Sequence, residues 1–158
     1  IAAVWVWLGE TNAHPDPSAT RFGRMLENFA NFLVDRNYLG YLLALALSYS
    51  MLFAFISGSS FILIGRFGLS PAVFGLCFGL VVLGYICGTQ IAGHLVRRVG
   101  PDRLILMGGW LGALAGLAMW GLDWLLPPHL LNVLAPMFFV TLSVGLVMPN
   151  ASARALAP

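Results

Sequence analysis

The chain has 158 residues, of which 59% are hydrophobic and only 9% are charged, with a formal net charge of +2 and a mean hydropathy of +0.88. A water-soluble domain of this length would carry far more charge on its surface, so the composition excludes one. The small net charge also gives no reason to expect a nucleic-acid partner.

Charged residues divide the chain into long apolar segments. Residues 37–65, 67–96, 104–122 and 124–153 contain no Asp, Glu, Lys or Arg. Crossing a hydrocarbon core of about 30 Å takes roughly 20 apolar residues in a helix, which satisfies its own backbone hydrogen bonds where lipid offers no partner. The sequence therefore predicts an all-α integral membrane protein with four full transmembrane helices.

The basic residues, all of them arginine, predict how these spans are oriented. Three arginines precede the first span, three lie between the second and the third, and one follows the fourth. Only Arg66 falls on the other side of the membrane. Because arginine is enriched in cytoplasmic loops, residues 10–36 and 96–103 are predicted to be cytoplasmic.

The first 36 residues differ from the rest of the chain. The apolar run Ile1–Leu8 is too short to span a bilayer, and we expect it to be the end of a preceding helix in a chain that is a fragment. Residues 10–18 contain helix-breaking prolines and are predicted to form a loop. From residue 19 to 36, apolar side chains recur at steps of three and four, which predicts an amphipathic helix on the inner membrane surface. A helix packed on a soluble partner is the alternative that this pattern leaves open.

Small residues within the spans predict local structure. Ser57–Ser60 interrupt the outer part of the first span, where a bend and serine-to-carbonyl hydrogen bonds are both consistent with the sequence. Ser70 and Pro71 are predicted to begin the second span as N-cap and first helical residue. Glycines at four-residue spacing predict close helix packing in the second and third spans. These are Gly75, Gly79, Gly84, Gly88, Gly108, Gly112 and Gly116.

The loop between the second and third spans has the most specific pattern in the chain, GHLVRRVGPDR from Gly93 to Arg103. It resembles the cytoplasmic loop motif G-x-L-x-x-R-x-G-x-x-R of the major facilitator superfamily, except that Arg97 replaces the acidic residue found before the family's arginine. Gly100 and Pro101 are expected to form a tight turn. A plain positively charged loop is the alternative. The residues that match or extend the motif are Gly93, Leu95, Arg97, Arg98, Gly100 and Arg103.

Further stretches resemble one branch of that superfamily, the bicyclomycin-resistance type of drug:proton antiporter. They include Arg36–Tyr41, Phe53–Phe61, Gly68–Ser70 and Pro149–Ala151, and the likeness covers nearly every residue from 10 to 158. In that branch proline usually follows the Ser-Gly-Ser stretch, where this chain has Ser60.

This resemblance implies a major facilitator helical bundle, built from two six-helix halves with the substrate bound between them. Residues 1–9 would end the sixth helix, residues 10–36 would form the central cytoplasmic loop, and residues 37–158 would be the first four helices of the C-terminal half. The implied partners are membrane lipid, a small amphiphilic substrate and the N-terminal half of the same transporter. The implied location is the bacterial inner membrane, with a proton gradient as energy source and no cofactor or metal.

Polar and aromatic side chains on two spans are the candidates for lining a substrate cavity. One face of the first span combines aromatic rings with hydroxyl groups, which suits weakly polar compounds, although lipid-facing or packed aromatics give the same pattern. On the second span Gln90 is the most polar side chain and needs a partner within the membrane. The candidates are Tyr49, Phe53, Ser57, Ser60, Tyr85, Thr89 and Gln90. Asn150, beside Pro149, is expected to break or cap the fourth helix.

We therefore expect export of small amphiphilic drugs or other xenobiotics in exchange for protons. Because no Asp, Glu or Arg lies in the central part of any span, the group that carries the proton is expected outside this chain. Two alternatives stay open, a transporter of another small solute such as a sugar or metabolite, and a four-helix membrane scaffold without transport activity. An enzyme is not expected, because the sequence has no paired carboxylates, Ser/His pair or metal-ligand spacing.

Overall fold

The computed structural model describes residue 23 and residues 34–156. The predicted end of a preceding helix, the loop at residues 10–18 and nearly all of the predicted amphipathic helix lie outside the described residues. The described helices from Asn37 onward belong to one compact unit, Asn37–Pro158.

Four long helices make up this unit. Helix α1 (Arg36–Ser60) continues directly into a π-helical segment (Phe61–Arg66) and is followed by α2 (Pro71–Val99), α3 (Pro101–Leu125) and α4 (Leu130–Ala155). The part of the chain that the structure describes contains no β-strand. Each helix is long and apolar enough to cross a membrane, counting α1 together with the π-helical segment. The prediction of an all-α fold with four spans is confirmed.

The helix boundaries follow from local backbone chemistry. Ser70 caps α2, because its Oγ accepts a hydrogen bond from the Val73 N–H at 3.4 Å, and Pro71 is the first helical residue, as predicted. Helices α2 and α3 are joined by Gly100 alone, whose φ of 86° only glycine adopts readily. The predicted tight turn at Gly100 and Pro101 is therefore confirmed.

The serine-rich part of α1 stays helical. The Ser59 Oγ donates a hydrogen bond to the Ile56 carbonyl at 3.2 Å, which is the serine-to-carbonyl bonding that the sequence allowed. Immediately after Ser60 the backbone changes to π-helical pairing, and this segment ends where the Phe67 N–H bonds to the Ile62 carbonyl at 3.2 Å. Short π-helical stretches are rare and occur often at functional sites.

Helix α4 is the central helix and packs against both α2 and α3. Its contact with α2 is close enough for backbone to meet backbone: a Cβ atom on Gly145 would lie 2.9 Å from the Thr89 nitrogen and 3.0 Å from the Gly88 Cα. At the same interface the Thr141 Oγ1 donates a hydrogen bond to the Val81 carbonyl across the two helices, at 2.6 Å. Small residues and one hydroxyl therefore hold this helix pair together.

Four of the seven glycines that were predicted to pack closely lie against a neighbouring helix. Gly84 and Gly88 are buried against α4, and Gly108 and Gly112 are buried against the other side of α4. Close packing is confirmed at these four positions. A Cβ atom added at Gly75, Gly79 or Gly116 would have no atom of the described residues within 4 Å, so close packing at these three positions stays a prediction.

The prediction that Asn150 breaks or caps the fourth helix is wrong. Helix α4 continues to Ala155 with both Pro136 and Pro149 inside it. Proline at position 149 removes the backbone N–H that would pair with the carbonyl four residues earlier, yet the helix persists. The buried Asn150 side chain donates its own hydrogen bond to the Leu146 carbonyl at 2.8 Å, so it is satisfied within the helix.

Candidate functional site

The candidate residues on α1 lie together on one exposed face. Phe53 is 63% exposed and Tyr49 is 49% exposed, and Ser57 and Ser60 are exposed as well. The buried residues of this helix, including Phe55, occupy the other side. The structure thus groups the four predicted residues on a surface that combines two aromatic rings with two hydroxyl groups. That they line a cavity stays a prediction.

Two of the three candidates on α2 share a helix face with Phe78, which contacts α1. Tyr85 and Thr89 follow Phe78 by seven and eleven residues, which places all three on one face of the helix. Phe78 stacks on Phe55 of α1 with ring centroids 5.1 Å apart. Both Tyr85 and Thr89 are half-buried there.

Gln90 is not grouped with the other candidates. It lies about 100° further around α2 than Thr89 and is exposed. Among the described residues its side chain makes no hydrogen bond, so the partner that the sequence predicted for it is absent from this part of the chain.

A groove between α1 and α3, with α4 as its floor, was not predicted from the sequence. Its volume is about 690 Å³. The lining is almost entirely apolar, and its two hydroxyls are engaged within their own helices: the Ser48 Oγ donates to the Ala44 carbonyl and the Ser143 Oγ donates to the Val140 carbonyl. The groove depends on the relative positions of three helices, which no local pattern reports.

A polar cluster joins three helices at the end of the bundle that is predicted to be cytoplasmic. Asp102 at the start of α3 accepts hydrogen bonds from Arg154 at the end of α4, at 2.9 Å to Oδ1 and 2.8 Å to Oδ2. The Tyr41 hydroxyl on α1 also donates to Oδ1, at 2.8 Å. The Arg154 guanidinium lies 5.6 Å from the centroid of the Tyr41 ring. Paired hydrogen bonds between Arg and a carboxylate fix both distance and direction, so this cluster sets how the three helix ends meet.

The arginines of the loop motif take no part in that cluster. Arg97, Arg98 and Arg103 are exposed and form no ion pair among the residues that the structure describes. Gly93 is exposed, Leu95 is half-buried, and Gly100 makes the turn. The residue of this loop that binds another helix is Asp102, which the motif does not include. Its position in the first turn of α3 was a visible signal, because acidic residues are stabilised at helix N-termini.

A second ion pair connects helices at the opposite end of the bundle. Arg66, the last residue of the π-helical segment, lies 2.6 Å from Asp123 near the end of α3 (Nη1 to Oδ1). A carboxylate at a helix C-terminus is disfavoured by the helix dipole, and Arg66 offsets this. Helix α3 is therefore tied at both ends to the first span, by Tyr41 of α1 and by Arg66 of the π-helical segment.

No group of three or more His, Cys, Asp or Glu side chains that could hold a metal ion occurs within residue 23 and residues 34–156.

Comparison with known proteins agrees with this arrangement of long apolar helices. The sequence matches the family model of the Major Facilitator Superfamily over residues 1–157, and the chain belongs to this family. Members of the family are membrane transporters, and the four spans make this chain part of a multi-pass membrane protein.

Two curated relatives give finer detail. An uncharacterized MFS-type transporter, YdgK, of Bacillus subtilis is 24% identical over 134 residues, which are 85% of this chain and 33% of that protein. A bicyclomycin resistance protein homolog of Haemophilus influenzae is 27% identical over 129 residues, which are 75% of this chain and 32% of that protein. The chain thus spans about a third of the length of these relatives. No solved structure matches it at a significant level.

Proposed function

We propose that this chain is part of a secondary active transporter of the bacterial inner membrane that exports small amphiphilic drugs in exchange for protons. Membership of the Major Facilitator Superfamily along nearly the whole chain supports transport. The name of the Haemophilus influenzae relative, a bicyclomycin resistance protein homolog, supports drug export over other kinds of substrate.

The exposed face of α1 is the observation that supports an amphiphilic substrate. Tyr49 and Phe53 offer aromatic surface, and Ser57 and Ser60 offer hydroxyl groups on the same face. Pockets for drug-sized molecules are mostly apolar and aromatic with a few polar groups that fix orientation. Sugar binding calls for many hydrogen-bonding and charged side chains, and this face has none that is charged. The face therefore favours an amphiphilic substrate.

Proton coupling places a requirement on the rest of the protein. An antiporter needs an ionisable group within the membrane that binds and releases a proton, and such groups are costly there without that role. Residues 37–65, 67–96, 104–122 and 124–153 contain no Asp, Glu, Lys or Arg. We propose that the proton-binding carboxylate lies in the other half of the transporter, and that residues 37–158 supply one wall of the cavity between the halves.

Transport by the full-length protein in proteoliposomes tests this proposal. With an imposed proton gradient, we expect counter-transport of a fluorescent amphiphilic cation or of bicyclomycin, and we expect a protonophore to abolish it. Empty liposomes are the control. Gradient-driven movement of a sugar with none of the drugs would contradict the choice of substrate, and drug movement that is unaffected by the protonophore would contradict proton exchange.

A further inference from the structure

The outward face of α3 carries a continuous strip of large side chains. Arg103, Leu106, Trp110, Leu117 and Trp124 lie within about 60° of one another around the helix axis. The four apolar members are 63% to 80% exposed. The glycines through which α3 contacts α4 lie on the opposite side of the helix.

The side chains of this strip are larger than those on the helix surfaces that pack against another helix. Glycines lie at close contacts of α2 and α3 with α4, as at Gly88 with Gly145 and at Gly112 with Ser143. Close approach of helix backbones requires such small residues. A strip of leucine and tryptophan holds a neighbouring backbone away and offers a broad apolar surface, which suits flexible acyl chains.

The two ends of the strip match the two surfaces of a bilayer. Trp124 stacks on Trp120 with ring centroids 6.3 Å apart and an interplanar angle of 4°, and both rings are exposed. Tryptophan is enriched at the membrane interface. Arg103 lies at the other end, and at 1.5 Å per residue it is about 30 Å from Trp124, the thickness of a hydrocarbon core.

The charge at the Arg103 end fits an anionic headgroup. Arg97, Arg98 and Arg103 are exposed and have no ion-pair partner in the described part of the chain. The neighbouring carboxylate, Asp102, is already bound to Arg154 on both oxygens, so it does not oppose a phosphate. Basic residues at the cytoplasmic ends of membrane helices attract anionic phospholipids.

We propose that the outward face of α3 binds membrane phospholipid with a net negative headgroup. The headgroup phosphate is held by Arg103 with Arg97 and Arg98, and an acyl chain lies along Leu106, Trp110 and Leu117. Of these side chains, Leu106 and Trp110 also border the groove between α1 and α3.

Lipid-dependent thermal stability of the full-length protein tests the headgroup site. In nanodiscs, we expect the melting temperature to rise as phosphatidylcholine is replaced by phosphatidylglycerol. The variant R97Q/R98Q/R103Q should lose most of that rise, and R97K/R98K/R103K, which keeps the charges, should retain it. Inorganic phosphate should give no such rise. An equal rise in the Gln variant and the wild type, or a rise with phosphate alone, would overturn the proposed headgroup site.

Photo-crosslinking tests what covers the strip. With a benzoylphenylalanine residue in place of Leu117, irradiation of the full-length protein in native membranes should give lipid adducts that mass spectrometry detects. The same residue in place of Leu104, which is fully buried against the bundle, should give crosslinks within the protein instead. Crosslinks from position 117 to another helix of the same protein or to a second copy would overturn the proposal, whatever the Leu104 variant does.

Discussion

At the scale of single residues, close packing of the helices depends on glycines, which have no side chain. Gly145 of α4 lies against Gly88 of α2, and a Cβ atom there would meet backbone atoms of Tyr85 and Thr89. Backbone atoms cannot move aside as the end of a flexible side chain can, so a methyl group at this position forces the two helices apart.

We predict that Gly145→Ala destabilises the protein by about 1–3 kcal/mol, the usual cost of overpacking a tight contact. Gly79→Ala is the matched control, because it is also a helical glycine but no atom of the described residues lies within 4 Å of the added Cβ. There the better helix propensity of alanine should leave stability unchanged or raise it by up to about 1 kcal/mol. Thermal unfolding of both variants in detergent measures the difference. Equal melting temperatures would contradict the contact.

The Thr141 hydroxyl connects the same two helices, α2 and α4, through a hydrogen bond. Thr141→Val keeps the shape of the side chain but removes its 2.6 Å bond to the Val81 carbonyl. We predict a loss of about 0.6–2 kcal/mol, as measured for hydrogen bonds between membrane helices. Ser50→Ala is the control, because the Ser50 Oγ is exposed and bonds only to Ala46 of its own helix. If both variants unfold at the wild-type temperature, the Thr141 bond does not stabilise the helix pair.

At the scale of helices, α3 is the element whose two ends are fixed by ion pairs. Asp102 binds Arg154 and Tyr41 at one end, and Asp123 binds Arg66 at the other. These pairs are exposed, so each contributes little to overall stability. Their effect is to set where the ends of α1 and α4 lie relative to α3, and the proposed transport would require such helix ends to move against each other.

We predict that Asp102→Asn in the full-length transporter lowers the turnover rate by a few-fold and leaves substrate affinity nearly unchanged. The cluster holds helix ends on the side of the membrane opposite to the Ser57 and Ser60 end of the candidate face, so it acts on exchange between conformations rather than on binding. Transport kinetics and equilibrium binding measure the two effects separately. The swapped pair Asp102→Arg/Arg154→Asp should recover part of the rate, and a drop in affinity alone would contradict this role.

The sequence predicted those features that depend on neighbouring residues. The four spans, the Ser70 cap and the turn at Gly100 all follow from composition or from one or two adjacent residues. The Tyr41–Asp102–Arg154 cluster could not be predicted, because it joins residues that are 52 and 61 positions apart. The groove between α1 and α3 could not be predicted either, because it is lined by residues of three separate helices. Asn150 was misassigned because proline next to asparagine is common at helix ends, whereas here the buried amide satisfies a carbonyl of the same helix.

At the scale of the whole molecule, the arginine distribution predicts the orientation in the membrane. We predict that a cysteine at Ser18 is inaccessible to a membrane-impermeant maleimide in intact cells, whereas one at Ala72, in the first turn of α2, is labelled. The background should lack native cysteines, including Cys77 and Cys87. Permeabilised cells are the control, in which both positions should react. Labelling of Ser18→Cys but not of Ala72→Cys in intact cells would reverse the orientation.

Substrate protection tests most directly whether the exposed face of α1 lines the path of an amphiphilic substrate. In the cysteine-free full-length protein, alkylation of Ser57→Cys by a small maleimide should slow several-fold when a transported drug is present at saturation. Leu47→Cys is the control, because Leu47 is also exposed on α1 but borders the apolar groove toward α3. Its alkylation rate should not change. Protection of Leu47→Cys with none at Ser57→Cys would contradict the claim and place the substrate in the groove.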